Sequence, residues 1–118
     1  MTLPPVEKRK YPRLDTSNDS EWRIRVFGLQ GRPFEGRIVN LSLGGVAFVS
    51  HWKNVARTVK RFTTKVEIQT PDGTKVDANT TLLRIWPRLR EDECICVLEL
   101  TEMNTASTLR LQDYFRLN

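Results

Sequence analysis

Residues 34–50 read FEGRIVNLSLGGVAFVS and contain two strand-like runs, Phe34–Leu41 and Gly45–Ser50, which are joined by a glycine-rich turn. The two adjacent glycines permit a tight turn, because glycine adopts positive φ angles without steric cost. Side chains alternate along a strand, so Asn40 and Ser42 project from the same face if the first run continues as a strand. The stretch therefore predicts two consecutive strands with short polar side chains beside the turn.

Further strand patterns follow on both sides of this stretch. Apolar residues alternate in Glu21–Leu29, where Trp22, Ile24 and Val26 occupy every second position. The turn signal Pro71-Asp72-Gly73 separates two more predicted strands. The remaining predicted strands are Lys65–Thr70, Lys75–Trp86 and Cys94–Leu100.

The tail from Asn104 to Leu117 has a helical pattern, which Asn104 or Thr105 can cap. Its expected apolar face consists of Ala106, Leu109, Tyr114 and Phe115. The segment His51–Phe62 fits either a helix or a loop.

Six short strands followed by one helix predict a mainly β domain. Its expected form is a closed six-stranded antiparallel β-barrel with a C-terminal helix, because closure removes exposed sheet edges. The chain has 118 residues, of which 39% are hydrophobic and 28% charged, as expected for one soluble domain. We assign residues 21–118 to the barrel and helix, and residues 1–20, rich in proline and polar residues, to a flexible basic arm.

The composition argues against several classes of protein. No apolar run approaches the roughly 20 residues of a membrane span, and the N-terminus lacks the apolar core of a signal peptide, so we expect a cytoplasmic protein. Cys94 and Cys96 alternate on one predicted strand, which disfavours a disulfide between them and favours two buried thiols. The single histidine, His51, has no evident catalytic partner. We therefore predict no catalytic residues, no metal site, no cofactor and no enzymatic activity.

Positive charge is concentrated near the N-terminus. The formal net charge is +5, and Lys8, Arg9, Lys10 and Arg13 fall within six positions. A basic segment favours an anionic partner, which leaves nucleic acid, nucleotides and an acidic membrane surface open.

Two short motifs narrow this choice. Arg9-Lys10-Tyr11-Pro12-Arg13 has the pattern R-x-x-x-R, and Asn40-Leu41-Ser42-Leu43-Gly44-Gly45 has the pattern (D/N)-x-S-x-x-G. Each pattern alone is common, but their order and their setting in a small β-rich chain resemble the PilZ domain, a bacterial receptor for the second messenger cyclic di-GMP.

The resemblance implies a six-stranded barrel with cyclic di-GMP at its rim and the arm wrapped over the ligand. It implies the following ligand-binding residues: Arg9, Arg13, Asn40, Ser42 and Gly45. The residue before R-x-x-x-R influences whether one ligand molecule or a stacked pair binds, and the basic Lys8 at this position favours the pair. Trp86 resembles a position that stacks on guanine, although a core or lid role is also open. The predicted last strand lacks the glycine that family members often have.

Arginine suits such a ligand chemically. Its planar guanidinium can pair with guanine O6 and N7, clasp phosphate oxygens or stack on a base, and lysine cannot copy that geometry. Pro12 prevents a continuous helix in this segment, so Arg9 and Arg13 can face one ligand from an extended strap.

The leading hypothesis is a cyclic di-GMP receptor that changes its surface on binding and signals to an unidentified effector protein, because no output domain accompanies the barrel in this chain. One alternative is a small-barrel nucleic-acid binder. The aromatic content of 8% and the lack of a strand with interleaved exposed aromatic residues and arginines argue against it. The other alternative is a PilZ-like interaction module that does not bind nucleotide.

Overall fold

Apolar side chains at alternate positions build the strands of this domain. The computed structural model describes residues 13–16, 21–27, 33–51, 63–87 and 92–117. The strands and the helix are β1 (Leu14–Asp15), β2 (Arg23–Phe27), β3 (Phe34–Leu41), β4 (Gly45–His51), β5 (Thr63–Gln69), β6 (Lys75–Pro87), β7 (Glu93–Glu102) and α1 (Thr105–Leu117). The six strands predicted from the sequence are all present, and their described ends differ from the prediction by no more than two residues.

Six of the strands form a closed antiparallel barrel in the order β3-β2-β5-β6-β7-β4, and β4 pairs again with β3. Closure leaves no free strand edge among these six strands. Because the sheet closes on itself, its inner face is buried even in so short a chain. The buried side chains inside include Ile24, Ile38, Phe48 and Ile68, each 1% exposed or less. The fold class predicted from the sequence is confirmed.

Close packing inside the barrel requires a small residue on β3. A Cβ atom added to Gly36 would run into the Phe48 ring and lie 2.8 Å from the Val49 carbonyl oxygen. Glycine therefore allows β3 to lie against the large aromatic side chain of β4.

Both cysteines lie on the core face of β7 and are buried, free thiols, as predicted. Burial raises the pKa of each thiol above its usual value. These residues therefore behave as small apolar side chains of the core.

The first strand was not expected. Residues 1–20 were predicted to be an irregular arm, whereas Leu14–Asp15 pair with β3 in the structure. Two hydrogen bonds extend this pairing: the Thr16 amide donates to the Val39 carbonyl at 3.1 Å, and the Thr16 hydroxyl donates to the Ile38 carbonyl at 2.6 Å. Leu14 packs against the core, so one apolar side chain and one hydroxyl are enough to fix this short segment.

Helix α1 begins as predicted but presents a different face. The Asn104 side chain accepts a 2.7 Å hydrogen bond from the Ser107 amide, which is the N-cap interaction expected at this position. Ala106 and Leu109 are exposed, contrary to the sequence prediction, and Leu111 is fully buried instead. Tyr114 packs edge-on against Trp22, with ring centres 4.9 Å apart. The barrel thus selects the face of the helix that can reach Trp22.

The turn between β5 and β6 also holds this helix. Asp72 accepts hydrogen bonds from the Thr70 hydroxyl, from the Thr74 amide and from Tyr114 of α1. These bonds, led by that of Thr70, lower the pKa of the Asp72 carboxyl below its usual value, because they favour the charged form. The carboxylate therefore links the turn to the helix.

We predict that Asp72 contributes stability that disappears in acid. A carboxyl group whose pKa is lower in the folded state stabilises the fold above its unfolded pKa of about 3.9, and this contribution is lost as the pH falls further. Asp72→Asn should therefore be less stable than the wild type at neutral pH, and the gap should narrow at about pH 3. Urea denaturation at both pH values measures this, with Asp113→Asn on the exposed side of α1 as control. A gap of equal size at both pH values would contradict the prediction.

Candidate nucleotide-binding surface

The short strand β1 brings the two sequence motifs together. Leu14 pairs with Leu41, and Asp15 pairs with Asn40. Arg13 is exposed and directly precedes this pairing, so continuing the register by one residue places it beside Ser42. The second arginine of the R-x-x-x-R motif therefore lies next to the turn of the other motif.

Asn40 owes its position to an irregularity in β3. Ile38 pairs with Phe48, and Asn40 pairs with Ala47, so Val39 is an extra residue opposite β4. Strict alternation from the buried Ile38 would turn Asn40 into the core, but the bulge turns it to the outer face. Asn40 is half-buried there, with Asp15 as its neighbour on β1.

Ser42 organises the turn that follows. Its Oγ atom accepts hydrogen bonds from the amides of Gly44 at 3.1 Å and Gly45 at 3.2 Å, and its own amide donates to the Gly45 carbonyl at 2.9 Å. The hydroxyl proton remains a donor for a further group. Ser42 thus stabilises the turn.

Gly45 is a packing residue in this arrangement. A Cβ atom at this position would lie 3.1 Å from the Leu98 carbonyl oxygen of β7. The preceding Gly44 accepts a 3.0 Å hydrogen bond from the Leu100 amide through its carbonyl. The glycines therefore allow the turn to lie close to β7.

A second bulge exposes two residues of β6. Leu82 pairs with Leu98 and Arg84 pairs with Val97, so the residue between Leu82 and Arg84 is extra. Arg84 and Trp86 consequently face outward, and Trp86 is 50% exposed. The Cζ atom of Arg84 lies 5.6 Å from the centre of the Trp86 ring, within the range of a cation–π contact.

These residues share one outer wall of the barrel, formed by β3, β4, β7 and β6. Residues that pair directly across antiparallel strands lie on the same face. One row of the wall is Asn40, Ala47, Val97 and Arg84, and the next row is Arg37, Val49, Ile95 and Trp86. The middle of the wall is thus aliphatic. Asn40 and Arg37 lie at its β3 side, and Arg84 and Trp86 lie at its β6 side.

Neighbouring arginines on β2 are already paired with a carboxylate. Glu35 accepts a hydrogen bond from Arg25 at 2.8 Å and lies 3.7 Å from Arg23. The Arg25 hydrogen bond is the main cause that lowers the pKa of Glu35. The charge of the β2 side is therefore partly neutralised.

The structure thus unites most of the predicted site residues that it describes. Arg13, Asn40, Ser42 and Gly45 meet at one end of the wall, and Trp86 stands on the same wall, so it is not a core residue. Lys8 and Arg9 lie outside the described residues, and so do residues 52–62, for which the sequence left helix and loop open. Arg37 was missed because strict alternation along β3 does not place it on the same face as Asn40. Arg84 was missed although it lies two residues before Trp86, because the outward direction of both residues depends on the bulge in β6.

Solved structures with a similar fold include the following three. The structure of the Bacillus subtilis inhibitor of motility, MotI/DgrA, is 18% identical with a TM-score of 0.70, and the match covers 92% of this chain and 49% of that chain. The PilZ domain with c-di-GMP of YcgR from Escherichia coli is 15% identical with a TM-score of 0.71, covering 90% and 87%. The crystal structure of Escherichia coli YcgR in complex with c-di-GMP is 16% identical with a TM-score of 0.65, covering 92% and 44%.

The chain therefore has a PilZ-like fold. It spans about half the length of MotI/DgrA and most of the single PilZ domain. No family model matches the sequence, and no curated protein matches it. Within the described ranges, no helix is long and apolar enough to cross a membrane.

We predict that Ser42→Ala destabilises the turn even without ligand. The change removes the acceptor for two backbone amides, so the free energy of unfolding should fall by about 1–3 kcal/mol. Ser42→Thr keeps the hydroxyl and should retain most of the stability. Urea denaturation of the three proteins measures the difference. Equal stability of Ser42→Ala and the wild type would mean that water replaces the hydroxyl at no cost.

Proposed function

We propose that this domain is a cyclic di-GMP receptor, and that Arg9, Arg13, Asn40, Ser42 and Gly45 build its ligand site. The observation that carries the proposal is the β1–β3 pairing, which sets Arg13 beside the Asn40–Gly45 turn. The similar structures of YcgR contain c-di-GMP, which supports the same ligand here.

The chemistry of the wall fits a guanine dinucleotide. Arg13 offers the planar fork that matches a phosphate or the O6 and N7 atoms of guanine. Asn40 supplies an amide donor and acceptor, and the Ser42 hydroxyl supplies a donor. Trp86 offers an exposed ring on which a base can stack, a contact worth about 1–3 kcal/mol.

The domain acts, in this proposal, as an adaptor rather than an enzyme. Ligand contacts with Arg9 and Arg13 draw the segment before β1 onto the barrel wall and change the surface offered to an effector protein. Because β1 is already paired with β3, Thr16 serves as the fixed end of this movement.

One observation favours a second function. Arg84 and Trp86 form an exposed arginine–aromatic pair on β6, contrary to the expectation from the sequence, and such pairs also occur on single-stranded nucleic-acid binders. A nucleic-acid interface would bind an oligonucleotide more tightly than a cyclic dinucleotide and would respond strongly to salt. The titration below therefore includes an oligonucleotide.

We predict that Arg9→Ala and Arg13→Ala each weaken cyclic di-GMP binding roughly ten- to a hundred-fold, because each removes hydrogen bonds to charged groups worth about 1.5–3 kcal/mol. Arg13→Lys should also lose affinity, because the charge survives while the fork does not. Isothermal titration calorimetry measures these affinities. Arg110→Ala, an exposed arginine of α1, removes the same charge and should leave the affinity unchanged.

The same titration tests the ligand. Cyclic di-GMP should bind more tightly than cyclic di-AMP, because adenine presents an amino donor where guanine has the O6 acceptor. GMP and a short oligothymidylate complete the series. Unchanged affinity in both arm variants, or equal binding of both dinucleotides with a steep salt dependence, would contradict the receptor proposal.

We predict that ligand changes the amide exchange of the arm in a position-dependent way. The Thr16 amide is hydrogen-bonded to Val39 and should exchange slowly with or without cyclic di-GMP. The amides of residues 8–11 and of Arg13 should exchange more slowly once the ligand is bound; Pro12 has no amide proton. Hydrogen–deuterium exchange by NMR measures both. Unchanged rates over residues 8–13 in a protein that binds the ligand would refute the surface change while leaving the receptor assignment intact.

A further inference from the structure

The wall has a second polar end, opposite the two motifs. In the strand register, Arg84 lies opposite Val97, Val97 opposite Ala47, and Ala47 opposite Asn40. Arg84 and Asn40 therefore lie at the two ends of one row. Three strand spacings of about 4.8 Å separate them, which gives roughly 14 Å across the wall. Ala47 and Val97 between them are half-buried aliphatic residues.

Arg84 is held in place without being neutralised. Its guanidinium lies 5.6 Å from the centre of the Trp86 ring, two residues further along the same face. Among the residues that the structure describes, Arg84 forms no ion pair, in contrast to Arg23 and Arg25 with Glu35. An aromatic contact restricts the side chain and keeps its charge and its hydrogen-bond donors available to a ligand.

A cyclic dinucleotide needs contacts at both of its ends. Each half of cyclic di-GMP carries one guanine and shares the anionic ring, so the Arg13 and Asn40 end of the wall accounts for only one half. The aliphatic side chains of Ala47 and Val97 in the middle of the row offer no hydrogen bond. A ligand that lies across the wall therefore brings its second half to Arg84 and Trp86.

We propose that Arg84 is a further ligand-binding residue, which contacts the second nucleotide half while Trp86 orients its guanidinium. This inference rests on the proposed function and adds to it a second contact end that neither motif contains. Arg84 would pair with guanine O6 and N7 or with two phosphate oxygens. Either pair of acceptors can take two parallel hydrogen bonds from one guanidinium.

The test is calorimetry with cyclic di-GMP on Arg84→Ala, Arg84→Lys and the control Arg110→Ala. Arg84→Ala should bind about tenfold more weakly or worse, and Arg84→Lys should lose part of the affinity, because lysine cannot form two parallel bonds. Arg110→Ala should match the wild type. Since Arg84 is exposed, the urea midpoint of Arg84→Ala should stay unchanged, which separates lost binding from lost folding.

Double variants identify the place of the contact. Arg13→Ala and Arg84→Ala act at opposite ends, so their fold-losses should multiply in the double variant. Arg84→Ala and Trp86→Phe remove two groups that touch each other, so the double variant should lose less than the product. Multiplying losses for the Arg84 and Trp86 pair would overturn the orienting role of Trp86.

The outcomes distinguish this inference from the function on which it rests. If the wild type binds and Arg13→Ala weakens binding, but Arg84→Ala matches Arg110→Ala, the receptor proposal stands and the second contact end is wrong. If the wild type does not bind cyclic di-GMP, both proposals fail.

Discussion

Closure of the barrel between β3 and β4 is the constraint on which the rest of this structure depends. The ring closes only if β3 buries Ile38 and Leu41 while it pairs with β4, and both residues are fully buried. Their spacing of three is odd, whereas alternation buries residues an even number apart. The extra residue Val39 resolves this conflict. The hydrophobic demand of the core thus determines which polar side chains face outward.

The outer wall follows from that demand. The bulge in β3 turns Asn40 outward, and a similar bulge in β6 turns Arg84 and Trp86 outward. Bulges are frequent beside functional sites, because they redirect a side chain without moving the strand. The short strand β1 then adds Arg13 to the same wall. Packing inside the barrel and binding chemistry outside it are therefore two results of the same strand registers.

Much of the fold was predictable, because alternation and turn chemistry are local signals. The patterns around Trp22 and Pro71-Asp72-Gly73 located strands that the structure confirms. The buried face of α1 was not predictable, since Leu111 is selected by contact with the barrel rather than by the helix itself. For the candidate site, the motifs pointed to Arg13, Asn40 and Ser42, which the pairing of β1 with β3 brings together. Arg84 was missed, although alternation puts it on the same face as Trp86, because the outward direction of that face depends on a bulge that period-two patterns do not reveal.

The bulge at Val39 bears on how such domains diverge. If β3 kept Val39 but paired with β4 without the bulge, strict alternation would turn Asn40 toward the core and Leu41 outward, or the strand would slide and break its pairing with β4. A descendant in which the bulge had moved along β3 would keep the letters Asn, Ser and Gly at their mutual spacing, since no residue of the motif need change. Motif searches would still classify it as a receptor. A comparison of bulge positions, rather than of motif letters, would therefore be the better guide when binding and non-binding lineages of this fold are separated.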